Sequence, residues 1–66
     1  MQIILNNNLY NTQDKITLNE LVKELKCKRD NIAVAVNLSV IPQSDYNDFV
    51  LNENDKVEIV TAFQGG

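Results

Sequence analysis

Few side chains in this sequence are of the types that carry out chemistry. Its 66 residues include no histidine, so the commonest general base and the commonest metal ligand are both missing. The single cysteine, Cys27, has no partner for an internal disulfide and is interpreted as an inert residue at a helix end. Two pairs of acids lack the spacing of a calcium loop and are interpreted as solvated turn residues: Asp45 with Asp48, and Glu53 with Asp55.

The two glycines are the exception, because both stand at the very end of the sequence. Average usage predicts about four or five glycines in a chain of this length, and two at the last two positions arise by chance in about 0.5% of chains. The turns, where glycine is usually placed, carry asparagine instead. A flexible end or a cloning remnant is the alternative, but no other remnant residues accompany the pair. We therefore interpret Gly65 and Gly66 as the functional part of the chain.

A C-terminal pair of glycines is suited to activation of the terminal carboxylate. That carboxylate is a poor electrophile, so a partner must activate it, most simply as an acyl-adenylate formed from ATP. Glycine has no Cβ, so it takes little width in a narrow channel and leaves the carbonyl open to attack. Gln64, Gly65 and Gly66 reach at most about 10 Å beyond the last strand. On this interpretation the chain is a carrier and not an enzyme, binds no cofactor itself, and leaves ATP to its partner.

Composition narrows the class of protein further. The length allows one domain, and the net charge of −3 argues against non-specific binding to nucleic acid. No apolar run approaches the roughly 20 residues of a membrane span, and no basic segment precedes Ile3 to suggest a secretory signal. A small domain without a disulfide suits a reducing compartment. We therefore expect a cytoplasmic protein without nucleic-acid or membrane partners.

Hydrophobic periodicity predicts two strands and a helix in the first half of the chain. Gln2–Asn6 is apolar and β-branched, three asparagines form a turn, and Leu9–Gln13 is the returning strand. A helix begins at Thr17, whose spacing from Glu20 is that of a capping box, and ends near residues 26–28. Its buried stripe consists of residues at helical spacing: Leu18, Leu21, Val22 and Leu25.

Three further strands are predicted in the second half. Asn31–Asn37 contains an unbroken apolar run typical of a strand covered on at least one face, and Leu38–Ile41 is a short strand ended by Pro42. Lys56–Phe63 alternates as a last strand, expected to lie parallel to the first. The order β-β-α-β-β-β, with one helix to cover one face of a mixed sheet of four to five strands, predicts an α+β fold of the β-grasp, or ubiquitin-like, type.

Two connections in the second half have their own signals. The polar segment Gln43–Val50 is expected to be a short helical turn or a packed loop, anchored by three apolar residues: Tyr46, Phe49 and Val50. Leu51–Asp55 is a turn in which Asn54 is expected to be left-handed, since asparagine tolerates that conformation.

The last strand carries a second candidate functional feature. It is apolar on both faces near its end, whereas one helix covers only one face of a sheet. We therefore predict a surface for docking partner proteins, formed by Val60, Ala62 and Phe63. The chain then divides into one domain over residues 1–63 and a flexible tail over residues 64–66.

Three segments match the pattern of a known family in order and spacing: Ala35–Asn37 followed by Val40–Pro42, then Leu51–Val60, then Gly65–Gly66. On these segments the chain resembles the ThiS family, the sulfur carriers of thiamin biosynthesis, over essentially its whole length. It departs from the pattern at four positions where the family often has a basic residue, tryptophan, glycine and a further glycine: Gln43, Tyr46, Asn54 and Gln64. The first two bear on a partner contact, and none changes the chemistry at Gly66.

The resemblance implies carrier chemistry at Gly66. An E1-like, ATP-dependent enzyme of the ThiF type would adenylate the Gly66 carboxylate, and sulfur from a donor protein would convert it to a thiocarboxylate. A thiazole synthase of the ThiG type would then take the sulfur to build the thiazole ring. Three alternatives stay open: the small subunit of molybdopterin synthase, whose chains are usually somewhat longer, a ubiquitin-like modifier of protein lysines, and an interaction module with an inert tail.

Overall fold

The computed structural model describes residues 1–61 of the chain, which form one five-stranded sheet and one α-helix. The strands occur in the sheet in the order β2-β1-β5-β3-β4, and β1 and β5 are parallel while the other neighbours are antiparallel. The predicted β-grasp order and the parallel pairing of the first and last strands are confirmed. The elements are β1 (Gln2–Leu5), β2 (Asn8–Asn11), α1 (Leu18–Glu24), β3 (Ile32–Val36), β4 (Ser39–Ile41) and β5 (Lys56–Thr61), with 3₁₀ turns at Arg29–Asn31 and Gln43–Asp45.

The core lies between α1 and one face of the sheet. The predicted helical stripe is buried at Leu18, Leu21 and Val22, and it packs against residues of all three central strands. Tyr46 is 1% exposed and acts as the predicted anchor of the segment before β5. The buried set is Ile3, Ile16, Leu18, Leu21, Val22, Ile32, Val34, Val36, Tyr46, Leu51 and Val57.

Val50 is the one predicted anchor that does not pack against the core. Its side chain is 46% exposed, whereas Phe49 beside it is half-buried against the core. The backbone explains the difference, because Val50 forms an isolated antiparallel bridge with Thr17 just before α1. In this extended conformation neighbouring side chains point to opposite sides, so Phe49 and Leu51 turn inward and Val50 turns to the solvent.

The capping box predicted at the start of α1 is present. The Thr17 Oγ1 accepts a hydrogen bond from the Glu20 backbone N–H at 3.1 Å, and a Glu20 carboxylate oxygen accepts one from the Thr17 backbone N–H at 2.9 Å. The two bonds satisfy donors that the first turn of a helix leaves unpaired.

The helix ends earlier than predicted, at Glu24, because Lys26 adopts a positive φ of 60°. The Lys26 N–H donates to the Lys23 carbonyl at 3.0 Å, and the Cys27 N–H donates to the Val22 carbonyl at 3.1 Å. This pair of bonds is a Schellman motif, in which the residue after the cap is left-handed and the next residue makes an apolar contact. Cys27 is half-buried against the core, so its role here is to close the helix end.

A second contact joins the helix to the edge strand β2. The Tyr10 hydroxyl donates a hydrogen bond to a Glu24 carboxylate oxygen, and the Thr12 hydroxyl donates to the other oxygen at 3.4 Å. The hydrogen bond to Glu24 raises the pKa of Tyr10 above its ordinary value, and desolvation and the charge of Glu24 act in the same direction.

Replacing Lys26 with glycine tests the strain at the helix end. A left-handed residue with a Cβ costs roughly 1–2 kcal/mol relative to glycine, so we expect Lys26→Gly to raise the free energy of unfolding by about 1 kcal/mol in urea titrations. The matched control is Lys28→Gly, which removes the same charge at a residue with φ of −88° and should lower the stability. A Lys26→Gly protein less stable than the parent would contradict this account of the helix end.

Candidate functional site

Most of the residues predicted to act at the functional end lie outside the described residues. These are the tail residues Gln64, Gly65 and Gly66 and two of the predicted docking residues, Ala62 and Phe63. The predicted boundary between domain and tail at residue 63 also lies there. Val60 is the docking residue that the structure does place, and β5 is the element that leads the chain toward the tail.

β5 occupies the middle of the sheet. It lies parallel to β1, with Ile4 opposite Lys56 and Leu5 opposite Val57. It lies antiparallel to the whole length of β3, from Val36 opposite Val57 to Ile32 opposite Thr61. The chain therefore approaches its last five residues from a central strand and not from an edge of the sheet.

The side chains of β5 alternate between the two faces of the sheet. Val57 is fully buried and Ile59 is half-buried against the core, whereas Val60 is 60% exposed on the opposite face. Opposite Val60 on β3 is Ala33, which is also exposed. The end of β5 thus presents an apolar side chain on the face that α1 does not cover.

This apolar surface continues along β3 and onto β4. Ala35 lies next along the same face of β3, and its partner on β4 is Val40, which is 74% exposed. We call these four residues the open face: Ala33, Ala35, Val40 and Val60. The small alanines lie between the two valines, so the surface is a shallow apolar strip that reaches the last residues of β5.

The opposite end of the same sheet surface differs in chemistry. Lys56 and Glu58 precede Val60 on this side of β5 and carry charges. Leu9 on β2 is 70% exposed and lies opposite Ile4, which in turn pairs with Lys56 at the start of β5. Leu9 is therefore an exposed apolar residue on the same surface but beside the start of β5, and it provides a matched comparison for Val60.

Two turn asparagines hold β5 at its two ends. The Asn37 Oδ1 accepts a hydrogen bond from the Lys56 N–H at 3.0 Å, and its Nδ2 donates to Asp55 Oδ1 at 3.1 Å. The Asn6 Oδ1 accepts from the Ile59 N–H at 2.8 Å, and its Nδ2 donates to the Ile59 carbonyl at 3.2 Å. The sequence placed Asn6 between a strand and a turn and Asn37 at the end of a strand, and it showed neither contact, because residues 6 and 59 are too far apart to leave a local pattern.

One of the two acid pairs, Glu53 with Asp55, bonds backbone groups around the turn that precedes β5. Glu53 accepts a hydrogen bond from the Gln2 N–H at 3.2 Å, and Asp55 Oδ2 accepts one from the Asn52 N–H at 2.8 Å. Asn54 has φ of 68°, as predicted for this turn. Within residues 1–61 there is no cavity, and no group of three or more His, Cys, Asp or Glu side chains is placed to hold a metal ion.

Comparison with solved structures shows which class of fold this is. A crystal structure of a thiamine biosynthesis protein (ThiS) from Geobacter metallireducens has a TM-score of 0.87 at 22% identity and covers 100% of this chain and 99% of that one. A solution NMR structure of a thiamine biosynthesis protein from the same organism has a TM-score of 0.80 at 20% identity, covering 100% and 88%. The molecule is a ubiquitin-like β-grasp domain, as the order of its elements predicted.

Comparison of sequences identifies the family. The model of the ThiS family matches residues 3–66, and the chain therefore belongs to that family. It is 33% identical over 66 residues to a thiazole synthase from Paramagnetospirillum magneticum, of whose length it spans 20%. It is 29% identical over 66 residues to an uncharacterized protein, ycf40, from Porphyra purpurea and spans 93% of that protein.

Across residues 1–61, no helix combines the length and the apolar character that a membrane crossing demands.

Two threonine substitutions on β5 distinguish the open face from the core. Val60→Thr keeps the β-branched shape at an exposed position, so we expect the free energy of unfolding to change by less than about 0.5 kcal/mol. Val57→Thr places a hydroxyl at a fully buried position in the apolar core, which should lower the free energy of unfolding by about 1–3 kcal/mol. Urea denaturation of both variants measures the difference. Equal losses would show that Val60 is needed by the fold itself and is not available to a partner.

Proposed function

We propose that this chain carries sulfur as a thiocarboxylate on Gly66 in the pathway to thiamin. An E1-like, ThiF-type enzyme adenylates the Gly66 carboxylate, a donor protein supplies the sulfur, and a ThiG-type thiazole synthase receives it. The chain is a co-substrate of these enzymes and catalyses no step itself. The observation that carries this proposal is the match to the ThiS family, which runs through the last glycine of the sequence.

The proposed chemistry needs from this chain only an accessible carboxylate. A Gly66 oxygen attacks the α-phosphorus of ATP and pyrophosphate leaves, which gives an acyl-adenylate. Hydrosulfide (HS⁻) released by the sulfur donor then attacks the acyl carbon, AMP leaves with the bridging oxygen and the thioacid proton is lost, so that one carboxylate oxygen is replaced by sulfur. Glycine suits both steps, because neither Gly65 nor Gly66 has a Cβ to hinder the approach to the carbonyl.

The choice of thiazole synthase as the receiving partner is supported by the relative that bears that name. The whole of this chain matches a part that makes up 20% of that protein. A segment similar to this chain and the remainder of a thiazole synthase therefore share one polypeptide in that organism. Two functions joined in one chain meet at high effective concentration, which favours the same pair as partners when the chains are separate.

Intact-mass measurement of the whole chain tests the chemistry at Gly66. After incubation with ATP, a sulfur source and the E1-like enzyme of the same cell, we expect the mass gain of one sulfur replacing one oxygen, located in the C-terminal fragment. A variant that lacks residues 65–66 is the control and should gain nothing. Adducts on protein lysines would instead indicate a modifier, and transfer to a molybdopterin precursor but not to thiazole would indicate the molybdopterin pathway. An unchanged mass beside an active enzyme would overturn the carrier proposal.

We further propose that the open face, extended by Ala62 and Phe63, docks the E1-like enzyme. Two features support this: Val60 and Val40 are exposed apolar residues, and Val60 lies one residue before the end of β5, from which the chain continues toward Gly66. Exposed apolar strips that border a functional segment are typical of surfaces that bind proteins. A partner bound at this strip would hold the end of β5 next to its own nucleotide site.

A charge on the open face tests the docking proposal. We expect Val60→Asp to raise the KM for adenylation by tenfold or more, because the partner must then bury a carboxylate without a counter-ion. Leu9→Asp introduces the same charge at a similarly exposed position on the same sheet surface, beside the start of β5, and should leave the KM within about twofold. Circular dichroism confirms that both variants are folded. Equal KM values for Val60→Asp and the parent would place the docking surface elsewhere.

A further inference from the structure

The end of β5 is supported unequally by its two neighbouring strands. On one side, β3 pairs with β5 as far as Thr61. On the other side, β1 ends at Leu5, opposite Val57, and the chain then turns away into the hairpin with β2. The Asn6 N–H still donates to the Val57 carbonyl at 2.9 Å, and this is the last backbone bond of the ladder between β1 and β5.

Ile59 is the next residue of β5 whose backbone groups face β1. Alternate residues of a strand direct their N–H and C=O groups to the same side, so Ile59 follows Asp55 and Val57 in this direction. The carbonyls of those two residues accept bonds from the backbone of Ile4 and Asn6, both at 2.9 Å. At Ile59 no backbone of β1 remains, because the hairpin has already turned.

The side chain of Asn6 takes the place of the missing residue. Its carbonyl oxygen accepts from the Ile59 N–H at 2.8 Å, and its NH₂ group donates to the Ile59 carbonyl at 3.2 Å. A primary amide offers the same donor and acceptor as a peptide group, so the side chain extends the ladder by one residue in the direction of the tail. Both hydrogen bonds reach the same residue of β5, which holds its direction as well as its position.

The turn by itself does not require asparagine at position 6, whereas the contact with Ile59 requires a side-chain amide. Asn6 has φ of 48° and Asn7 has φ of 70°, and at such values glycine carries no steric cost. Glycine would form the same two-residue hairpin but has no side-chain amide to bond Ile59. The Asn7 side chain makes no hydrogen bond within residues 1–61, so the two neighbouring asparagines differ in this one respect.

We propose that Asn6 is a positioning residue for the loading of Gly66, an inference that rests on the proposed function. By holding Ile59 it keeps the last residues of β5 in the sheet and so fixes the point from which the chain leaves toward the partner. Without the amide, Ile59–Thr61 are held from the β3 side alone. If these three residues leave the sheet, the segment before the carboxylate grows from five to eight residues. Its effective concentration in the partner's active site then falls by about twofold.

Three glycine substitutions, each at a residue with positive φ, test this role in the whole chain. Asn6→Gly removes the amide at the tail end of β5. Asn37→Gly removes an equivalent pair of hydrogen bonds at the start of β5, with φ of 50°, and controls for lost stability. Asn7→Gly controls for glycine in the same hairpin. The two measurements are amide hydrogen exchange by NMR and steady-state adenylation by the E1-like enzyme.

We expect Asn6→Gly alone to change both measurements near the tail. Exchange of the Ile59 amide should accelerate about tenfold, which corresponds to the loss of hydrogen bonds of ordinary strength. The kcat for adenylation should fall by about twofold or more, because the longer released segment lowers the effective concentration of the carboxylate in the docked complex. Asn37→Gly should lower the overall stability without lowering kcat, and Asn7→Gly should change neither.

Three results would overturn the inference. An unchanged exchange rate at Ile59 in Asn6→Gly would show that the amide does not hold the strand. An equal loss of kcat in Asn37→Gly would show that general destabilisation, and not position, is responsible. A normal kcat in Asn6→Gly despite faster exchange would show that the strand end does not govern loading. A parent chain that is not adenylated at all would instead overturn the proposed function. The exchange of the Ile59 amide would then still decide whether the Asn6 side chain holds the strand.

Discussion

The fold depends on β5 being held between β1 and β3. Without β5 the sheet separates into two hairpins, β1 with β2 and β3 with β4. A two-stranded hairpin is only marginally stable in water, and a domain of this size buries only about 60% of its unfolded surface. The pairing of Ile4 with Lys56 closes a loop that spans most of the chain, and the fully buried Val57 lies where the two halves of the sheet meet. The strand that leads to the proposed functional end is therefore also the strand that completes the core.

The placement of asparagine and glycine follows from this demand on β5. Left-handed turn positions are usually given to glycine, but Asn6 and Asn37 combine a positive φ with a side chain that reaches β5. The strain of a Cβ at these positions is set against two hydrogen bonds at each end of the strand. Glycine is instead found only at positions 65 and 66, where the proposed chemistry needs a narrow chain and an unhindered carbonyl.

The sequence predicted the features that rest on local chemistry and the pairing of the first and last strands, but not the side-chain contacts between distant residues. The order of elements and the capping box follow from periodicity and spacing, and both are present. The end of the helix was misplaced because Lys26 is not a residue type that signals a left-handed cap. Ala33 was not recognised as part of the open face, since an unbroken apolar run does not show which side is covered. The contact of Asn6 with Ile59 spans 53 positions and has no local signature.

The register of β5 determines which of its side chains enter the core and which lie on the open face. A slip by one residue would turn Val60 under the helix and Val57 to the solvent, because side chains alternate strictly along a strand. The backbone groups turn over together with the side chains in such a slip, so Glu58 would present its N–H and C=O to Asn6 in place of Ile59. The hydrophobic pattern therefore selects the register, and the Asn6 amide holds the residue of β5 that this register places beside it. A domain of this size can thus secure β5 with one polar side chain, while Val60 remains exposed on the opposite face.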